Sequence, residues 1–290
     1  MGWGPTLAGQ HAKQTFDEGG HLAEPWAKQS GLRSSFPKNR GVWIPIDHGA
    51  SDYPTAGLLD LESLIRGLVN AGVNAIVAQK GVVSKYAHLC KGTNTSMVIH
   101  YSVSTRHAGP DINNKTMVGH ADETLLRGGI GVSSQVNMGS ENESLMIERM
   151  GELNRQALHE ELPAFGMVYA RGPYLNHQEN DITKSQAHAV RLAFELGCDA
   201  AKCVWTGDAE SFSIVAKSAP IPLLLAGGPA SGDASSVLKR VEEALSAGAS
   251  GVCMGRQVFA HPDPVAMAKA LVMMVHDGVS AEQAISSVGL

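Results

Sequence analysis

From residue 41 onward, eight short apolar runs alternate with longer amphipathic stretches, and this alternation constrains the fold more than any other feature of the chain. The runs are VWIPID (42–47), NAIVAQ (74–79), MVIHYS (97–102), GVSSQVN (131–137), FGMVYA (165–170), AAKCVW (200–205), PLLLAGG (222–228) and GVCMGR (251–256). Unbroken apolar runs of this length suit strands buried on both faces, as in a parallel sheet. Helical patterns separate most of them: LLDLESLIRGLVNAG ending on Gly72, SLMIERMGELNRQALHEE, SQAHAVRLAFELG, SSVLKRVEEALSAG and VAMAKALVMMVHDG. Acidic residues sit early and basic residues late in several of these, as the helix dipole favours. VVSKYAHLCKG reads as a short helix, residues 103–119 as a long polar loop, and ADETLLRGG as a short helix after it.

Strand–helix alternation requires right-handed crossovers and a parallel sheet, and eight strands is a number that closes on itself. The expected architecture is α/β, a (β/α)8 TIM barrel over residues 39–290, preceded by an irregular extension over 1–38 with room for one short helix. The 290 residues exceed the roughly 250 typical of one such barrel by about the length of that extension. An open doubly wound sheet is the alternative, but it usually carries a glycine-rich phosphate turn after its first strand. Here that strand ends in Asp47-His48-Gly49.

A net charge of −5, with Lys and Arg spread along the chain, excludes an electrostatic nucleic-acid binder, so an anionic ligand needs local donors. Four cysteines without a C-x-x-C pair suit reduced thiols in the cytoplasm. The N-terminal residues lack the apolar core of a signal peptide, and no stretch approaches a membrane span. The expectation is a soluble, cytoplasmic protein.

Active sites of such barrels gather at the C-terminal ends of the strands. Lys202 lies inside an apolar run, where a charge is costly. Period-2 alternation puts Ala200, Lys202 and Val204 on one face. If that face looks inward, burial or a nearby cation would lower the amine pKa and leave a nucleophile for carbonyl carbon. The other reading is a lysine that reaches out to solvent or pairs with a carboxylate. Tyr169 shares a face with Met167 and either moves protons beside Lys202 or caps the core. Asp47 ends the first strand, where packing does not explain a carboxylate. His48 beside it suits hydrogen bonding as well as catalysis. Lys80 and His100, also near strand ends, read as an ion-pair partner or a satisfied polar group. Ala226-Gly227-Gly228-Pro229 after the seventh strand and Met254-Gly255-Arg256 after the eighth fit the phosphate site common in these barrels, or ordinary tight turns with a surface arginine. The histidines show no metal-binding spacing, and no G-x-S-x-G nucleophile elbow is present.

These segments together resemble the archaeal-type class I fructose-bisphosphate aldolase family. The resemblance rests on IPIDHGASDYPTAGLLD (44–60), NAIVAQKG (74–81), VIHYSVST (98–105), VNMGSENE (136–143), VYARG (168–172), AAKCVWTGD (200–208), LLAGGP (224–229) and GVCMGRQVF (251–259), and spans residues 41 to about 280. PTAGLLD and VIHYSVST lean toward the family's heptulosonate synthases, whereas TGD, YARG and GGP are shared with its fructose-bisphosphate aldolases. The resemblance implies Lys202 as Schiff-base lysine, with Asp47 and Tyr169 as acid/base partners. It implies Gly227, Gly228, Gly255 and Arg256 as phosphate ligands, and His48 and Arg171 join the substrate-binding set. It further implies a phosphorylated ketose and an aldehyde such as L-aspartate semialdehyde as substrates, no cofactor or metal, and a ring-built homo-oligomer, often a decamer. Cys203-Val204-Trp205 departs from the small polar residues and Tyr that tend to follow the lysine, which bears on the substrate. A non-catalytic phosphosugar-binding barrel is the reading from another class, and the co-occurrence of Lys202, Tyr169 and Asp47 argues against it.

Overall fold

A computed structural model of the chain describes residues 31–290 apart from 33, 55, 176–180 and 230–232. Most of the expected extension (1–30 and 33) lies outside the described residues; of the remainder, 31–32 and 34–35 are helical and a 3-10 turn, Pro37–Asn39, leads into the barrel. The eight apolar runs form eight parallel strands: β1 (Gly41–Pro45), β2 (Ala75–Ala78), β3 (Ser96–His100), β4 (Gly131–Met138), β5 (Ala164–Ala170), β6 (Ala200–Cys203), β7 (Leu223–Ala226) and β8 (Gly251–Cys253). Each pairs with its sequence neighbours, and β8 returns to β1 through the register Gly41 to Gly251, so the barrel closes.

Helices follow the strands in turn: α1 (Leu61–Ala71), α2 (Lys80–Tyr86), α3 (Glu123–Leu126), α4 (Glu143–His159), α5 (Ile182–Glu195), α6 (Ala209–Ala216), α7 (Ala234–Ser246), α8 (Pro264–Val272) and a terminal α9 (Ala281–Val288). Aspartates stand as N-caps before five of these helices. Asp60, Asp181, Asp208, Asp233 and Asp263 each accept backbone N–H bonds of the first helical turn, a contact worth about 1 kcal/mol. Gly72 ends α1 at φ 82°, as the C-cap reading required. Three departures stand out. Helix α6 was not among the expected amphipathic stretches. The apolar stretch of α8 gives way to a π-helical turn over Met273–Asp277. The polar loop 103–119 carries a small antiparallel hairpin, Ser102–Val103 with Thr116–Met117.

Alternation along the strands separates two apolar layers. Val42, Ile44, Ile76, Val132 and Leu225 face the helices, whereas Trp43, Val77, Val98, Phe165, Met167 and Leu224 fill the barrel. The residues just before β1 close its lower end. The Phe36 and Trp43 rings lie 5.1 Å apart, Trp43 and Phe165 4.6 Å, and the Trp43 indole donates to the Ser35 carbonyl at 3.0 Å. The void left in this floor is about 10 Å³, room for one water molecule at most. Among the described residues no helix is long and apolar enough to cross a membrane.

Candidate active site

The opposite, C-terminal end of the barrel opens into a cavity of about 1070 Å³. Its wall includes the nine residues expected to act on or bind substrate: Asp47, His48, Tyr169, Arg171, Lys202, Gly227, Gly228, Gly255 and Arg256. They come from β1, β5, β6, β7 and β8, so only barrel closure brings them together.

Lys202 sits at the bottom, paired in register with Met167 on β5 and Leu224 on β7, and is 8% exposed. Its strand points Ala200 and Lys202 inward, as the alternation required. Tyr169 and Cys253 lie within hydrogen-bonding reach of its amine, and the Asp47 carboxylate is close enough to act on its charge. Burial works against that charge, but Cys253, Tyr169 and Asp47 outweigh it and hold the amine pKa above the ordinary lysine value. The resting group is therefore an ammonium. The expectation that burial would leave a neutral amine is corrected: the site surrounds the cation with acceptors and one anion. Burial also pushes the Cys253 thiol up to about 11, while the Lys202 charge beside it pulls the other way.

Asp47 follows β1 immediately before the turn His48–Ser51. Burial alone would protonate it, but His100, His48 and Lys202 hold its pKa below the usual carboxylate range. Its Oδ1 faces the His48 Nδ1 at 3.5 Å, and neither atom has a hydrogen-bond partner among the described residues. Burial, with Lys202 and Arg256 nearby, keeps His48 neutral. The pair thus offers an acceptor and a ring nitrogen to a small hydroxyl-bearing group. His100 is 2% exposed, shares hydrogen bonds with Ser133 (3.0 Å) and Ser102 (3.3 Å), and reaches Asp47 at 3.9 Å. It is a satisfied core histidine that backs the carboxylate.

His100 carries a pH prediction. Burial lowers its pKa to about 4, below the value of 6.5 for a free imidazole. The unfolded chain therefore binds the extra proton between pH 6.5 and 4, so stability rises with pH across that window and is lost as pH falls through it. The shift corresponds to about 3 kcal/mol at most. Melting temperatures measured from pH 7 to 4 should fall less steeply for His100→Gln than for the wild-type chain. Parallel curves would place the acid sensitivity elsewhere.

The glycine signals after β7 and β8 meet on one side of the mouth. Gly228 has φ 70°, which a side chain resists. A Cβ on Gly255 would lie 2.4 Å from the Pro45 carbonyl oxygen and 2.8 Å from the His48 ring. Gln257 ties the two loops by donating to the carbonyls of Gly227 and Pro229. Arg256 projects into solvent at this rim. On the other side, Arg171 lies over the Tyr169 ring at 4.4 Å and donates from Nε to Asn137 at 2.8 Å. Lys115, from the hairpin, donates to Ser104 at 2.6 Å and also lines the cavity. Lys80 stands apart, paired with Glu123 at 3.1 Å. The sequence reading missed Cys253, Lys115, Gln257 and Gln135. Cys253 and Gln135 had a usable signal, their inward registers on β8 and β4 beside Trp43 and Met167. Among the described residues no group of three or more His, Cys, Asp or Glu side chains is placed to hold a metal ion.

An eight-stranded barrel with a buried lysine on β6 among acid/base groups has the architecture of a class I, Schiff-base-forming aldolase. A family model described as DeoC/LacD family aldolase matches residues 42–261, and the chain belongs to that family. The 2-amino-3,7-dideoxy-D-threo-hept-6-ulosonate synthase of Halobacterium salinarum is 34% identical over 252 residues, 87% of this chain and 92% of that protein. The 2-amino-4,5-dihydroxy-6-oxo-7-(phosphonooxy)heptanoate synthase of Streptomyces griseus is 36% identical over 81% of this chain and 84% of its own length. Among solved structures, a Schiff-base-forming fructose-1,6-bisphosphate aldolase superposes with a TM-score of 0.76 at 28% identity, covering 86% of this chain and all of that one. The protein is a class I aldolase-type enzyme.

Proposed function

We propose that the enzyme forms a Schiff base between Lys202 and a phosphorylated ketose and transfers the derived enamine to L-aspartate semialdehyde. The observation that carries this reading is the single cavity in which Lys202, Tyr169 and Asp47 share a wall with Gly227, Gly228, Gly255 and Arg256. Backbone N–H groups of the two glycine loops, with the Arg256 guanidinium, suit a phosphate at the donor's first carbon. The ketone then falls beside Lys202. The ammonium gives up a proton toward Asp47, the amine adds to the carbonyl carbon, and Tyr169 delivers a proton to the departing water. The protonated imine draws in the electrons of the adjacent carbon–carbon bond as it breaks, while a ring or carboxylate base takes the hydroxyl proton of the leaving aldehyde. His48 and Asp47, with their unpaired facing atoms, suit that hydroxyl. The resulting enamine adds to the incoming aldehyde carbon, Tyr169 protonates the new alkoxide, and water releases Lys202.

The relatives at 34–36% identity favour the synthase reaction, since both names describe seven-carbon 2-amino acid products. Fructose 1,6-bisphosphate cleavage is the second reading, favoured by the solved aldolase neighbours. Incubation with a ketose phosphate plus L-aspartate semialdehyde should yield an amino-bearing seven-carbon ketose acid detectable by mass spectrometry. Triose phosphates from fructose 1,6-bisphosphate alone, with no seven-carbon product in the other tube, would move the assignment to the cleavage enzyme. A homo-oligomer, extending to a decamer, completes the reading and would cover exposed apolar side chains such as Leu59, Leu125, Leu126 and Leu158. Four buried, unbridged cysteines suit a cytoplasmic setting. The barrel unit is taken as residues 39–290.

A further inference from the structure

His48 is wedged between the glycine loop after β8 and the Asp47 carboxylate. Its Nδ1 faces the Asp47 Oδ1 at 3.5 Å, and its Cε1 stands so close to Gly255 that a Cβ there would lie 2.8 Å away. The ring meets Phe259 edge-on, with centroids 5.2 Å apart and planes at 66°. Gly57 in turn lies flat against the Phe259 carbonyl, with no room for a side chain between them. The turn Arg256–Phe259 therefore holds the imidazole on one side while Asp47 bounds it on the other.

The groups around this ring fix how readily it takes a proton. Burial opposes the charged form most, Asp47 favours it, and the cations Lys202 and Arg256 oppose it. Asp52 also favours it, but that carboxylate is exposed and paired with Arg106. His100 approaches from β3 and is itself kept neutral by burial. In the empty site His48 is thus a weak base. Of the two cations, Arg256 stands at the exposed rim, beside the glycine loops where the donor's phosphate would seat. A dianion there cancels the guanidinium charge and brings negative charge of its own next to Gly255. Removing a repelling cation and adding an anion both raise the ring's affinity for a proton. Lys202 stays cationic as the protonated imine, so the seated phosphate is the component that relieves the ring.

We infer that His48 is a base switched on by the donor's phosphate: an anion seated at Gly255 and Arg256 strengthens the ring, which then takes the hydroxyl proton as the carbon–carbon bond breaks. This rests on the phosphate and Schiff-base reading above and deepens it, by giving the phosphate a part in the chemistry besides anchoring. The hydroxyl proton moves to the imidazole, and the O–H electron pair becomes the carbonyl bond of the leaving aldehyde. The pair of the broken carbon–carbon bond enters the enamine. The imidazolium gives its proton to water at the open mouth once the aldehyde has left. Binding energy from a part of the donor that does not react is in this way spent on the reacting centre.

Sulfate is the probe, since it carries two charges and does not titrate where histidine does. Calorimetric titration with sulfate in two buffers of different ionisation enthalpy reads the protons taken up per anion bound, with no substrate present. From about pH 5 to 8, the range in which histidines titrate, wild type should take up protons on binding. Sulfate affinity should then rise as pH falls, by about 10-fold or more across that window. His48→Gln and the smaller His48→Asn should still bind sulfate through the glycine loops and Arg256, with no uptake and a flat pH dependence. Added sulfate should also speed turnover of a dephosphorylated ketose several-fold in wild type, with no such effect in His48→Gln. Binding without uptake in wild type overturns the coupling without recourse to a variant and leaves the phosphate site standing. Uptake that persists in both variants belongs to another group and overturns it as well. Uptake confined to wild type but without faster turnover overturns the role of His48 as base. Failure of sulfate to bind removes the phosphate site and the coupling together, while borohydride trapping on Lys202 decides the Schiff-base reading separately.

Discussion

Borohydride added together with a substrate ketone is expected to fix a secondary amine on Lys202 and on no other lysine. Reduction of an imine leaves the substrate covalently attached, whereas reduction of the free ketone leaves nothing on the protein, and Lys202 is the lysine held in the cavity beside Tyr169 and Cys253. Peptide mapping should locate the added mass on the segment containing residues 200–205. Because the amine rests as an ammonium, trapping should accelerate as pH rises from neutrality, when a larger fraction is unprotonated. Lys202→Met keeps the length and apolar stem of the side chain. It should fold, give no adduct, and lose turnover by about a million-fold or more, the lower end of enzymatic acceleration. An adduct on another lysine, or one that survives in Lys202→Met, would remove Lys202 from the reaction.

Tyr169→Phe is expected to lower kcat by about 100- to 10,000-fold, the range of a positioned acid–base group. The ring packs against the barrel interior and beneath the Arg171 guanidinium, and phenylalanine preserves both contacts. Only the hydroxyl near Lys202 is lost. Stability should therefore shift by about 1 kcal/mol, the net value of one hydrogen bond. Borohydride trapping on Lys202 should persist at a lower rate, since the nucleophile remains. The decisive comparison sets kcat against melting temperature in the same variant. Turnover near wild type with a clear drop in melting temperature would make Tyr169 a packing residue and pass its proton to Asp47.

Much of this site was legible in the chain because barrel strands are buried on both faces, so each reads as an unbroken apolar run. A charge inside such a run, as at Lys202, or at its end, as at Asp47, has no packing explanation and stands out. The alternation that put Met167 with Tyr169 and Ala200 with Lys202 held because both strands lie in a regular parallel ladder. The glycine pairs after β7 and β8 were visible for the same positional reason. What escaped depends on contacts between distant segments. Lys115 belongs to a hairpin of two-residue strands, too short to show a period. His100 gains its meaning from Asp47, fifty-three residues earlier, which it reaches only through two intervening strand crossovers. The charge state of Lys202 could not be read from burial alone, because the anion that sustains it lies on a different strand.

The aromatic floor of Phe36, Trp43 and Phe165 has a bearing on the order of events. With the lower end plugged, everything that reaches Lys202 enters and leaves by one doorway. A leaving aldehyde and an incoming one cannot pass through opposite ends of the barrel. They must use the space beside the bound enamine in succession, so each competes with the other for the same vacancy. A high concentration of the first product would then slow the second half of the reaction by occupying the passage, with no separate inhibitory site. The flux such an enzyme sustains would depend as much on how promptly the departing aldehyde is removed as on the supply of donor.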